Sequence, residues 1–157
     1  MERKDLLIRR SLPAAQLETR QEAEEASEDF NGPLIQGYAA VFNEITDLGP
    51  FTESIAPGAF AESISRGDDV RALFNHDMNC VLGRTTAKTL RLSEDKHGLF
   101  TRIKPPESSF ATDLMMSIER GDINQMSFGF YIEAEEMTRE EEKKTHFTIT
   151  QARLFDI

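Results

Sequence analysis

A chain of 157 residues, 39% of them hydrophobic, is long enough for one domain with a true core; with no Trp, its aromatic bulk must come mainly from Phe. A net charge of -10 argues against non-specific binding to nucleic acid, which needs Lys and Arg to neutralise phosphates, and against an anionic membrane surface. No apolar run approaches the ~18 residues of a membrane span, the first residues carry no signal-peptide pattern, and a single cysteine, Cys80, forms no internal disulfide, which fits a reducing compartment.

Residues 1–10 alternate weakly and read as an edge strand around Leu6 and Ile8. Residues 11–33 are rich in Glu, Gln, Ser and Ala and poor in large apolar groups, so they predict an acidic flexible linker. Together they make an N-terminal region, 1–33, ahead of a compact domain, 34–157. Residues 35–43 alternate as a strand, 47–50 form a turn, and 51–55 a second short strand. Pro57 suits the first position of a short helix, with Phe60 and Ile64 on one face and Gly67 just past its end. Residues 70–76 alternate again and put Val70, Ala72, Phe74 and His76 on one face.

Two strands are expected over 81–93 and 99–105, joined by a turn at 94–98 and stopped by Pro105 and Pro106. Ser108 or Ser109 caps a helix that runs to about Arg120, buries Phe110, Leu114 and Ile118, and ends at Gly121. Residues 123–133 read as a strand with Met126, Phe128, Phe130 and Ile132 inward. The acidic run over 133–144 reads as a solvated hairpin loop, and 145–157 as the last strand. Because the chain stops at Ile157 inside an apolar strand, the domain is expected to continue beyond it. About eight strands and two helices predict an α+β class, mostly β, with a closed or near-closed β-barrel flanked by helices.

No glycine-rich phosphate loop, paired CxxC, HExxH or calcium loop is present. What remains is a nucleophile with a base. Ser127 sits between large apolar neighbours, with Gln125 and Gly129 on its own face, which leaves space beside its hydroxyl. His76 ends an apolar strand face, and histidine is the residue type whose ordinary range suits it to accept a serine proton near neutral pH. Pattern alone favours plainer readings: a half-buried strand serine beside a bulge glycine, and a core-edge histidine. Cys80 could pair with His76, but four extended residues span roughly 13 Å, so a structural cysteine is the better reading. Asp156 on the last strand could orient the imidazole or be an ordinary strand carboxylate; Asp122 reads as a turn cap, His97 as a solvated turn residue, and His146 as a second imidazole or a surface strand residue.

The segments GYAAVFN (37–43), IAPGAF (55–60), VRALFNHD (70–77), VLGRT (81–85), TLRLSED (89–95), RGDI (120–123), MSFGF (126–130) and LFDI (154–157) resemble, in this order, the prohead (capsid maturation) serine proteases of tailed phages of the Hong Kong 97 type. The resemblance implies a fold similar to that of herpesvirus assemblins, with residues 34–157 as the protease domain. It implies catalysis by Ser127 and His76, with Asp156 where the family usually carries Glu; assemblins use a second histidine, which keeps His146 as the other candidate. Arg84 is a further candidate, as a helper for the oxyanion, although a simple surface ion pair is the better reading. No cofactor or metal is implied. The expected partners are the major capsid protein with its scaffolding region, and the protease itself through autocleavage, with a homo-oligomer left open and neither nucleic acid nor membrane involved. The expected place is the assembling prohead in the cytoplasm of the bacterial host. The alternatives are an inactive capsid-assembly or scaffold protein of the same fold, and an unrelated β-barrel binding module.

Overall fold

The computed structural model describes residues 3–11, 17–20, 30, 32–139 and 143–157. A 3-10 turn at Arg3–Asp5 leads to strand β1 (Ile8–Ser11), followed by β2 (Leu17–Arg20) and the almost wholly buried β3 (Leu34–Val41). The two-residue β4 (Thr46–Asp47) and β5 (Phe51–Ile55) make a hairpin whose turn places Gly49 at φ 90°. Helix α1 (Ala61–Arg66) precedes β6 (Arg71–Leu73), β7 (Val81–Arg84), β8 (Leu90–Glu94) and β9 (Gly98–Ile103). Helix α2 (Ser109–Glu119) then leads to two twelve-residue strands, β10 (Ser127–Thr138) and β11 (Thr145–Asp156). None of these helices is long and apolar enough to cross a membrane.

The molecule is mostly β, as expected, but its strands do not close into a barrel. Seven strands form one curled sheet with the path β1-β10-β11-β5-β4, from which β6 and β7 branch at the end of β11. The other four form a second sheet, β2-β3-β9-β8. The reason lies in where backbone groups find partners. Between its pairings with β5 and β6, the edge of β11 is satisfied by the turn into α1 instead of a strand: Ala56 N–H donates to Ile149 O, Ala152 N–H to Ala59 O, and Leu154 N–H to Ser63 Oγ. At the corner where β7 leaves one sheet and β8 enters the other, Arg84 N–H is taken by Thr89 Oγ1 at 2.9 Å, so no ladder carries across.

The core between the sheets is aromatic at its centre. Phe42, Phe60, Phe128 and Phe130 form a chain of ring contacts with centroids 6.3, 5.6 and 4.9 Å apart, and all four are buried. Truncating one such ring to alanine costs about 3–5 kcal/mol in proteins generally.

Several expected boundaries move. The strand expected over 81–93 is two strands, because the chain turns at 85–89 with Lys88 at φ 59°. Helix α1 starts at Ala61, not Pro57, because Gly58 stands at φ 87°, outside helical space. Its end is as read: Gly67 takes the left-handed C-cap at φ 71°. Helix α2 carries the expected Ser108 cap, whose Oγ accepts from Ala111 N–H at 3.2 Å.

Of the acidic run expected as a loop, 133–138 is strand in β10, where α1 and the N-terminal 3-10 turn supply cations: Arg66 reaches Glu133 at 3.1 Å and Arg3 reaches Glu135 at 2.8 Å; 140–142 fall outside the described residues. Within the stretch read as a linker, Leu17–Arg20 is the strand β2, hydrogen-bonded to β3. The linker reading over 12–16, 21–29 and 31 falls outside the described residues.

Candidate active site

Strand β10 begins at Ser127, and its alternation is the one the sequence suggests. Met126, Phe128, Phe130 and Ile132 are buried, while Ser127 is half-buried on the other face. The next residue on that face is Gly129. Its lack of a side chain does not open room for a peptide, as the sequence suggested. Gly129 lies opposite Asp156 in the β10–β11 register, and a Cβ built on it would meet Asp156 Oδ1 at 2.1 Å. The space belongs to the carboxylate.

His76 arrives differently from the sequence expectation. The alternation over 70–76 ends early, since β6 stops at Leu73. Asn75 and His76 then take φ values of 52° and 57°, both left-handed, a conformation that costs a non-glycine residue on the order of 1–3 kcal/mol. The surrounding turn holds them there: Phe74 N–H donates to Cys80 O, Asp77 N–H to Phe74 O, and Cys80 N–H to Asp77 O. Asp77 Oδ1 also accepts from Asn79 N–H at 2.8 Å and from Asn79 Nδ2 at 3.0 Å, and these two bonds from Asn79 keep its carboxyl below the usual range. The base of the turn is tied to the end of β11, where Ile157 N–H donates to Arg71 O and Leu73 N–H to Ile157 O. That tie brings the histidine turn to the last residues of the chain.

The three side chains meet in a line. Ser127 Oγ lies 2.6 Å from His76 Nε2, and His76 Nδ1 lies 2.9 Å from Asp156 Oδ1. Asp156 is fully buried, at 0% exposure, and the His76 side chain is 17% exposed. An ionised carboxylate only accepts, so the Nδ1 proton points to Asp156. Nε2 is then free to accept the hydroxyl proton of Ser127. Such an array can turn a weak hydroxyl into a nucleophile and stabilise the imidazolium that forms. The outer oxygen, Oδ2, faces Arg9 Nη2 at 3.5 Å, a residue no sequence motif pointed to.

A cleft of about 390 Å³ adjoins the site. Its polar lining is Ser11, Asn75, His76, Gln125 and Ser127, and the rest is apolar, including Phe74, Leu82, Leu114 and Met126.

The other sequence candidates lie elsewhere. His146 sits on β11 opposite Thr138 of β10, eleven positions along β10 from Ser127, or roughly 36 Å of extended chain. Its ring nitrogens contact Thr52 Oγ1 at 2.8 Å and Ser54 Oγ at 2.9 Å. The Cys80 thiol contacts the Asp77 carboxylate at 3.8 Å, and burial first, then that carboxylate, push the thiol up, the wrong direction for a thiolate nucleophile. Arg84 is engaged by Asp69 through two contacts of 2.7 and 2.6 Å. Asp122 pairs with Arg120 at 3.1 Å, and the His97 ring packs edge-on to Tyr38. Among the described residues, no cluster of three or more His, Cys, Asp or Glu side chains could hold a metal ion.

The chain matches the family model of caudovirus prohead serine proteases over residues 16–157. It is 31% identical over 106 residues to the prohead protease of Enterobacteria phage HK97, a stretch covering 67% of this chain and 45% of that protein. The match therefore spans less than half the length of this curated relative. No solved structure matches.

Proposed function

Because this chain belongs to the caudovirus prohead serine protease family, we propose that it is a serine endopeptidase with Ser127 as nucleophile, His76 as general base and Asp156 as the residue that orients and charges the imidazole. The observation that carries the reading is the 2.6 Å approach of Ser127 Oγ to His76 Nε2, backed by a buried carboxylate 2.9 Å from Nδ1.

In the reaction, Ser127 Oγ bonds to the carbonyl carbon of the scissile peptide as its proton passes to Nε2. The tetrahedral intermediate collapses when Nε2 gives that proton to the leaving amine nitrogen, and the C–N bond breaks. An acyl ester remains on Ser127. Water attacks it, losing its proton to Nε2, and the proton returns to Oγ as the acid product leaves.

The substrates, by likeness to a family named for the prohead, are the scaffolding region of the major capsid protein and the protease itself. The place of action is the assembling prohead in the host cytoplasm. Residues 34–157 carry the protease domain, and the likeness to the herpesvirus assemblin fold belongs to this same reading, supported by the mostly β architecture. An inactive assembly protein would have no use for a strained histidine turn aimed at a serine.

A fluorophosphonate probe tests the chemistry directly. It should add to Ser127, seen as a mass shift on the peptide containing that residue, and Ser127→Ala should lose both the label and the cleavage of a co-expressed capsid precursor. A folded Ser127→Ala variant that still cleaves the precursor removes Ser127 as nucleophile.

A further inference from the structure

We propose that Arg9 is a positioning residue for Asp156, which makes the N-terminal strand β1 a working part of the catalytic site; this rests on the roles of Ser127, His76 and Asp156 given above.

The argument starts from one row across three strands. Arg9 of β1 lies opposite Gly129 of β10, and Gly129 lies opposite Asp156 of β11. Neighbouring strands stand about 4.8 Å apart, so residues two strands away are about 10 Å apart and are normally separated by the side chain between them. Here the middle residue has none. Asp156 Oδ1 reaches into the place a Cβ would take, 2.1 Å from it. The outer side chains therefore meet over the glycine, with Arg9 Nη2 3.5 Å from Asp156 Oδ2.

The two carboxylate oxygens are thus divided. Oδ1 serves His76 Nδ1 at 2.9 Å, and Oδ2 faces a guanidinium. This matters because Asp156 is fully buried, and a buried carboxylate needs a compensating charge. While the imidazole is neutral, Arg9 supplies that charge. A carboxylate held from both sides keeps Oδ1 aimed at Nδ1 through the cycle. At 3.5 Å the Arg9 contact is longer than a good hydrogen bond, so it acts chiefly by charge.

Strand β1 is built to hold Arg9 there. Residues 9 and 10 point to opposite faces of the strand. Arg10 Nε donates to Glu53 Oε1 at 2.7 Å, Arg3 also pairs with Glu53, and that carboxylate is 3% exposed on β5. Ile8 is buried opposite Phe130, and Ser11 lies opposite Ser127. One short segment therefore carries both an anchor and the cation.

The test uses the full chain and a fluorophosphonate, so no natural substrate is needed. Arg9→Met keeps the apolar stem and removes the charge; Arg9→Lys keeps the charge. The expected result is a fall in kinact on the order of 10–100-fold in Arg9→Met, with KI unchanged, a cooperative melting transition retained above the assay temperature, and most of the loss recovered in Arg9→Lys. Arg9 is half-exposed on an edge strand, so both variants should fold. A wild-type kinact in Arg9→Met overturns the inference, and so does an Arg9→Lys as impaired as Arg9→Met. If Ser127→Ala is inert to the probe while Arg9→Met reacts normally, this inference alone falls. If Ser127→Ala reacts like the wild type, the reading beneath it falls too.

Discussion

A histidine lies against a serine hydroxyl at each end of β11. At one end, His76 Nε2 is 2.6 Å from Ser127 Oγ; at the other, His146 Nε2 is 2.9 Å from Ser54 Oγ. The second nitrogen distinguishes them. His76 Nδ1 faces the buried Asp156 carboxylate, whereas His146 Nδ1 faces the Thr52 hydroxyl at 2.8 Å. A carboxylate fixes the tautomer and stabilises a positive ring, while a hydroxyl can donate or accept and does neither. The backbones differ as well: His146 is an ordinary strand residue, and His76 is held at φ 57°. A serine beside a histidine is thus not by itself a catalytic pair, and the charged third group is what would make one a nucleophile.

The strongest way to break this comparison is to delete each serine in turn. Ser127→Ala should abolish turnover, with a loss that can reach about 10⁶-fold when a nucleophile is removed, and Ser54→Ala should leave it within about twofold of wild type, because the Ser54 hydroxyl contacts His146 at the far end of β11 from Ser127. Cleavage of the capsid precursor measures both. Equal losses would mean the two contacts do not differ as described.

Exchanging the third group is the next largest effect. Asp156→Asn keeps the shape and removes the charge, and by comparison with triads generally should cost up to ~10⁴-fold in kcat. His146→Ala should be nearly silent. A silent Asp156→Asn with a crippling His146→Ala would reverse the assignment of the two ends.

A smaller loss should follow from filling the gap that separates them. Gly129→Ala puts a methyl 2.1 Å from Asp156 Oδ1, so the carboxylate must move. A displacement of about 1 Å at a catalytic group costs on the order of 10²-fold. Probe labelling of Ser127 should slow by that order while His146 and its partners are untouched. Undiminished labelling would show that the carboxylate's position is immaterial.

The smallest effect is a control on charge away from both histidines. Arg84, bonded to Asp69, lowers that carboxyl to about 2. A depressed carboxyl stabilises the fold above its unfolded value, near 4, and loses that contribution as pH falls through about 2. Asp69 is exposed, so the contribution is small. Asp69→Asn should therefore melt slightly earlier than wild type at pH 6, with the gap closing towards pH 2. A gap that widens on acidification would contradict the sign.

What the sequence determined by itself was local. Alternation of Met126, Phe128, Phe130 and Ile132 set the facing of Ser127, because a strand turns each successive side chain over whatever its partner is. The start of α2 and the C-terminal ends of both helices were legible for the same reason, since Ser108, Gly67 and Gly121 act on backbone groups a few residues away. The likeness of NHD and MSFGF to one family pointed to His76 and Ser127, yet nothing local could bring them together across 51 residues of chain.

Tertiary structure decided the rest. Whether Asp156 or His146 lies at His76 depends on which end of β11 is tied to β6, and that is a matter of register: Ile157 to Arg71 and Leu73. The break between β7 and β8, the open sheet and the left-handed histidine are likewise set by where distant backbone groups find hydrogen bonds. Gly129 is the sharpest case. Alone it reads as a bulge or an open approach for substrate, and only the strand beside it shows that the missing side chain makes room for a carboxylate 27 positions away in sequence. Local preferences act over a few residues; the site is made by pairings between strands, and those are chosen by the packing of the whole sheet.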